Sequence, residues 1–228
     1  YEEPWLPHVD RRTAPLYPDP GMVQHADQLL LEAKQPLIQA GSGIIHAAAY
    51  EELHRLAELL WAPVTTSWAA RGVLKENHPL AWPMVHIDAV NEVRNTADLV
   101  LNLTSRMSET DWWGKAPYWA TPDKQKLIWV DHDGEALGRT RKADLAVLSD
   151  VKVFLRQLIA ELEQARQRGD LDPKTIDKRR KAVAKMARTR DKDRVKLDTK
   201  LQDKAVPMNT AHAPTTCRQV FDDDAVLV

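Results

Sequence analysis

Pro36-Leu37-Ile38-Gln39-Ala40-Gly41-Ser42-Gly43 is followed by a helix-period segment and then by Ala62-Pro63-Val64-Thr65-Thr66. A short apolar run ends in a glycine pair, an amphipathic stretch intervenes, and a second short apolar run closes the unit. That order predicts a βαβ unit, whose crossover helix lets two parallel strands lie side by side. Gly41 and Gly43 stand where the first strand hands over to its helix, the edge at which open α/β sheets bind ligands. Without a Cβ, their backbone can come close to a phosphate.

The same alternation extends outward. Met22, Val23, Ala26, Leu29, Leu30 and Ala33 recur at helical spacing before the first strand, Leu37–Ala40. A second helix is predicted over Ala47–Leu60 and a second strand over Val64–Ser67. Arg71–Trp82, with Gly72 and Pro79, reads as a loop. A helix near Ile87–Asn95 leads to a strand at Asp98–Leu103 that is apolar on both faces, as a buried parallel sheet requires. Thr104–Lys124 reads as a long loop carrying Trp112, Trp113 and Trp119. Strands at Lys126–Asp131 and Ala143–Leu148 flank a short helical turn at Asp133–Gly138, and Asp150 is placed to cap a helix reaching Arg168. The expected fold is a three-layer α/β/α, Rossmann-like, doubly wound parallel sheet of about six strands.

Composition narrows the class. The chain has 228 residues, 43% hydrophobic and 29% charged, within the range of globular proteins. No apolar run of about 18 residues occurs, so no membrane partner is expected. The lone Cys217 excludes an intrachain disulfide framework and any multi-cysteine metal site, which agrees with a cytoplasmic setting. Lys174–Lys204 holds 13 Lys and Arg against 5 Asp. This run reads as a solvated linker helix outside the core. It lacks the aromatic interleaving of a nucleic-acid surface, so no nucleic-acid partner is expected. The organisation is therefore a proline-rich linker at 1–20, a Rossmann-like domain at 21–168 and a basic linker at 169–206. A new segment begins at 207–228, with a helix at Thr215–Phe221 and a strand at Ala225–Val228. That closing strand has nothing to pair with unless more chain follows, so an excised part of a larger protein is expected.

These pieces resemble the central domain of thiamine-diphosphate-dependent enzymes of the acetolactate synthase type. The resemblance rests on Ala33–Gly43, on Ala62–Thr66 with Gly72 and His78-Pro79-Leu80, and on Ala97–Leu103 with Arg106. Ile128–Asp133 with Gly138, Ala143-Asp144 and Ser149-Asp150 completes it. It covers about residues 21–165. It implies a parent enzyme that makes or breaks a carbon–carbon bond in 2-oxo acids or acyl donors, using thiamine diphosphate and Mg2+. Both would be bound by N- and C-terminal domains missing from these residues, in a homodimer or homotetramer. The glutamate and Gly-Asp-Gly…Asn motifs of those domains are not in this sequence, so no catalytic residue is assigned to it.

The resemblance also implies a nucleotide, FAD or an adenine nucleotide, held non-catalytically by the central domain. Gly41, Ser42 and Gly43 would offer backbone amides to its phosphates, Arg106 a positive charge, and Asp131 and Asp150 carboxylates for hydroxyl or amino groups. Asp133 is a weaker candidate. Thr104 stands where the family has glycine, the FAD-binding Gly-Met-His-Gly loop is replaced by Pro83-Met84-Val85-His86, and His46 occupies the third glycine position of a dinucleotide fingerprint. These departures favour an empty or loosely occupied adenine pocket over tight FAD binding. Each residue also has a plainer reading. The glycines can form a tight turn, Arg106 can pair with Glu109 or Asp111, and Asp150 can simply cap its helix. Asp131-His132-Asp133 lacks a second ligand cluster for a metal, and His46, His54 and His86 are scattered. The tryptophan loop would either pack locally or form an interface. The alternative to a central domain is a stand-alone nucleotide- or dinucleotide-binding Rossmann-like module.

Overall fold

A computed structural model describes residues 14–202, 206, 209–210, 212–222 and 225. Most of the lead-in and of the expected strand at 225–228 falls outside these residues. Six strands form one sheet: β1 (Pro36–Ala40), β2 (Val64–Thr66), β3 (Ala81–Trp82), β4 (Leu99–Leu103), β5 (Lys126–Asp131) and β6 (Leu145–Leu148). Every neighbouring pair is parallel, in the order β3-β2-β1-β4-β5-β6. Ile38 of β1 is in register with Val64 on one side and Leu101 on the other. The stretch that predicts the fold is thus its central strand, and all five of its residues are buried.

The helices are α1 (Pro20–Glu32), α2 (Gly43–His46), α3 (Tyr50–Leu60), α4 (Ile87–Thr96), α5 (Val151–Arg168), α6 (Pro173–Leu201) and α7 (His212–Val220). Helices α1 and α3 pack on α5, whereas α4 packs on α6. The connection from β3 at one edge to β4 beyond β1 carries α4 to the face opposite α3, giving three layers. Side-chain caps set the starts. Asp19 accepts the amides of Gly21 and Met22 ahead of Pro20, and Asp150 accepts those of Lys152 and Val153. Gly169, at φ 88°, closes α5 in the left-handed conformation that favours glycine.

Three expectations need correction. The predicted helix at 47–60 begins only at Tyr50 as α3, and a separate single turn, α2, precedes it, the two being broken at Ala48, whose φ is 47°. The Arg71–Trp82 loop ends in β3, a two-residue edge strand too short to show an alternating pattern. Asp133–Gly138 makes the short hydrogen-bonded turns expected of it. The basic run, expected outside the core, becomes α6, and its inner face enters the core through Val183 and Met186.

Two charged residues explain how so polar a helix is held. Buried Arg179 donates to the carbonyls of Leu60 at 3.0 Å, Leu30 at 2.8 Å and Ala33 at 2.7 Å. These are the last carbonyls of α3 and α1, which carry partial negative charge. Burial pulls the Arg179 guanidinium down to about 10, opposed by the nearby Asp98 carboxylate. Buried Asp193 accepts the Ala89 amide at 3.0 Å in the first turn of α4. Opposite charges on α6 therefore meet opposite helix ends.

Candidate functional site

The loops after β1, β2, β4 and β5 all emerge at the carboxyl edge of the sheet. They enclose an open cleft of about 580 Å³ at the point where strand order reverses. Ser42, Gly43, Arg106 and Asp131 from the sequence-based set line it together, joined by Asp133. Two residues of that set lie elsewhere. Asp150 caps α5, and its own amide donates to Leu16 O at 2.8 Å. Gly41 lies beneath the cleft, and its amide donates to Leu103 O at 2.8 Å.

The glycines here answer first to packing. A Cβ on Gly41 would stand 2.0 Å from Thr104 O, and one on Gly43 would stand 2.4 Å from Thr104 Oγ1. The loop after β4 therefore presses directly on the loop after β1. Thr104 fills that gap and itself adopts φ 55°, a conformation that costs a β-branched residue energy. The expected phosphate cradle is correspondingly reduced. One amide is taken by the sheet, and α2 is a single turn of four residues.

Arg106 is exposed and forms no ion pair among the described residues, so its guanidinium is open to an anion in the cleft. Asp131 is 5% exposed, and its Oδ1 accepts the Asp133 amide at 3.1 Å and lies 3.3 Å from His132 Nδ1. Asp133 in turn accepts the Glu135 amide. Sequence reasoning missed Ser67 and Trp68, which line the cleft from the loop after β2. Trp68 is half exposed. The missed signal was positional, because the residues following each parallel strand all face the same edge.

Beneath the cleft lies a buried polar network. Arg94 Nη2 donates to Asp111 Oδ1 at 2.7 Å and to Gln39 Oε1 at 3.2 Å. Thr65 Oγ1 donates to the same Gln39 oxygen at 2.6 Å, and Ser105 Oγ to Asp111 Oδ2 at 3.3 Å. Asp111 thus pairs with Arg94 rather than Arg106. Burial depresses the Arg94 guanidinium, while Asp111 counteracts it. The network fastens the tryptophan loop. Trp119 is fully buried, donates Nε1–H to Asp111 O at 2.8 Å and lies under Arg94 at 4.3 Å. Trp112 stacks on Tyr118 at 4.1 Å, and only Trp113 stays well exposed. Packing is local for two of the three indoles.

Thiamine diphosphate with Mg2+ does not fit this cleft. Of its three carboxylates, Asp131 and Asp133 accept neighbouring amides and Asp111 pairs with Arg94, and the residues that line it form no paired acid–amide ligand set for a metal-bound diphosphate. No helix among the described residues is long and apolar enough to cross a membrane.

An all-parallel sheet in Rossmann order, with a cleft at its strand reversal, defines a doubly wound three-layer α/β domain. The chain belongs to the thiamine pyrophosphate enzyme central-domain family, whose model matches residues 23–158. It is 35% identical over 146 residues to a protein of Methanocaldococcus jannaschii named "Probable acetolactate synthase large subunit". It is 34% identical over 149 residues to the acetolactate synthase of Mycobacterium bovis. These alignments cover 63% and 64% of this chain, which spans about a quarter (24%) of each relative's length. In the solved structure of a Mycobacterium smegmatis protein described as a thiamin diphosphate-dependent enzyme, 31% of the chain superimposes on 69% of this one, at TM-score 0.55 and 22% identity. That likeness supports the fold. The reading as a stand-alone nucleotide-binding module finds no support in these matches.

Proposed function

We propose that this chain is the middle domain of a thiamine-diphosphate enzyme of the acetolactate synthase type, and that the parent acts on 2-oxo acids or acyl donors. The observation that carries this reading is the family match over 23–158 in a chain spanning a quarter of its relatives. The domain spaces the two cofactor-binding domains and contributes to subunit packing in a homodimer or homotetramer. Thiamine diphosphate and Mg2+ are held outside these residues, and the chain alone is catalytically silent. Calorimetric titration with thiamine diphosphate and Mg2+ should show no uptake. Tight, magnesium-dependent binding would overturn the reading.

The cleft accommodates an adenine nucleotide loosely rather than FAD. Arg106 supplies charge for phosphate, Asp131 a carboxylate for hydroxyl groups, and Trp68 a stacking face. Thr104 fills the space a larger flavin would need. The purified protein should be colourless at flavin wavelengths. ADP should quench indole fluorescence in the wild type but not in Trp68→Ala, and Arg106→Ala should weaken ADP at least about tenfold. A yellow preparation, or quenching unchanged in Trp68→Ala, would count against this assignment.

A further inference from the structure

His54, Glu58 and His78 converge outside the cleft, none of them among the residues that line it. His54 and Glu58 are one helical turn apart on α3, and His78 arrives from the segment leading into β3. His54 Nε2 lies 3.2 Å from His78 Nε2, and each lies 3.6 Å from Glu58 Oε1. Donors on a tetrahedral ion at about 2.0–2.1 Å stand about 3.3 Å apart. The three atoms therefore already outline one face of such a coordination shell.

We propose that these three residues bind a divalent transition ion of the zinc class. Two imidazoles and one carboxylate suit zinc, cobalt or nickel better than magnesium or calcium. Glu58 forms no pair with a lysine or arginine among the described residues, so its charge is directed at the two rings. His54 and Glu58 are about half exposed on their side chains and His78 is 17% exposed. The remaining coordination positions thus face water. Leu80 N–H donates to His78 Nδ1 at 3.2 Å. The metal-free ring therefore carries its proton on Nε2 and directs it at His54. Coordination moves that proton to Nδ1, and the Leu80 contact is given up. The ion would join α3 to the segment entering the edge strand β3.

The test is calorimetric titration of the purified chain with ZnCl2, with MgCl2 as control. Saturation is expected at one zinc per chain, with no saturable magnesium binding. CoCl2 should develop the visible absorption of a low-coordinate site. His54→Ala or His78→Ala should lower zinc affinity by about 100-fold or more, and Glu58→Gln by less. Thermal melts keep the result interpretable, because zinc should raise the Tm of the wild type but not of a folded His54→Ala/His78→Ala protein. No zinc uptake by the wild type, or unchanged stoichiometric uptake by that double variant, would overturn the proposal.

Discussion

The contact between Gly43 and Thr104 sets the shape of the cleft floor. Gly43→Ala would force a Cβ to within 2.4 Å of Thr104 Oγ1 and should destabilise the protein by about 2–4 kcal/mol in urea unfolding. Thr104→Gly removes both the obstructing side chain and its positive-φ strain, so the double variant should recover at least half of that loss. A second test concerns charge. Asp27 on α1 is buried, its Oδ1 finds no hydrogen-bond partner among the described residues, and burial followed by Glu161 pushes its carboxyl up to about 6 from 3.8. The folded state then holds the proton more tightly than the unfolded chain. Stability should fall as pH rises from about 4 to 6 and level off above that. Asp27→Asn should flatten this dependence and raise stability at pH 8 by about 1–2 kcal/mol, measured by urea unfolding at several pH values. Arg94→Met leaves Asp111 buried and unpaired, and should lose about 3–5 kcal/mol by the same measurement. At this scale the Asp150 cap was legible in the sequence, because it acts on amides two or three residues away. The partner of Asp111 was not. Arg94 lies 17 residues off, and only the fold decides that it, rather than nearby Arg106, reaches the carboxylate.

Among the elements, α6 departs furthest from what its composition suggests. A run so rich in lysine and arginine has little apolar pattern, so its packing was illegible. Val183 and Met186 supply the contact and Arg179 supplies the anchor, yet each looks ordinary in a list of neighbours. Arg179→Met should cost about 2–4 kcal/mol in a thermal or urea melt, since it strips donors from the ends of two helices at once. Loss should be accompanied by faster proteolysis of α6 than of the sheet. Strands β1, β4 and β5 were legible because burial on both faces leaves an unbroken apolar run. Strand β3 was not, because two residues make no period.

For the molecule as a whole, both helical layers meet on one tie. Helix α6 packs with α4 on one face and holds the ends of α1 and α3 from the other. Unfolding in urea should therefore be a single transition, coincident by indole fluorescence and far-ultraviolet circular dichroism. Separate midpoints would show that the layers come apart independently. The doubly wound order was legible as a whole, since strand, glycine turn and crossover repeat in sequence. The cleft was legible in part: Ser42, Gly43, Arg106 and Asp131 converge, while the fit of Thr104 against the glycines depends on two loops 60 residues apart in the chain. Arg179 and Asp193 stand 14 positions apart on an uninterrupted helix, close to four whole turns, so they look the same way across roughly 21 Å. Inserting or deleting one amino acid between them would swing one anchor about 100° away from its target. Natural length variation should consequently be absent from that interval and concentrated outside it, a signature that aligned homologues can reveal without any biochemistry.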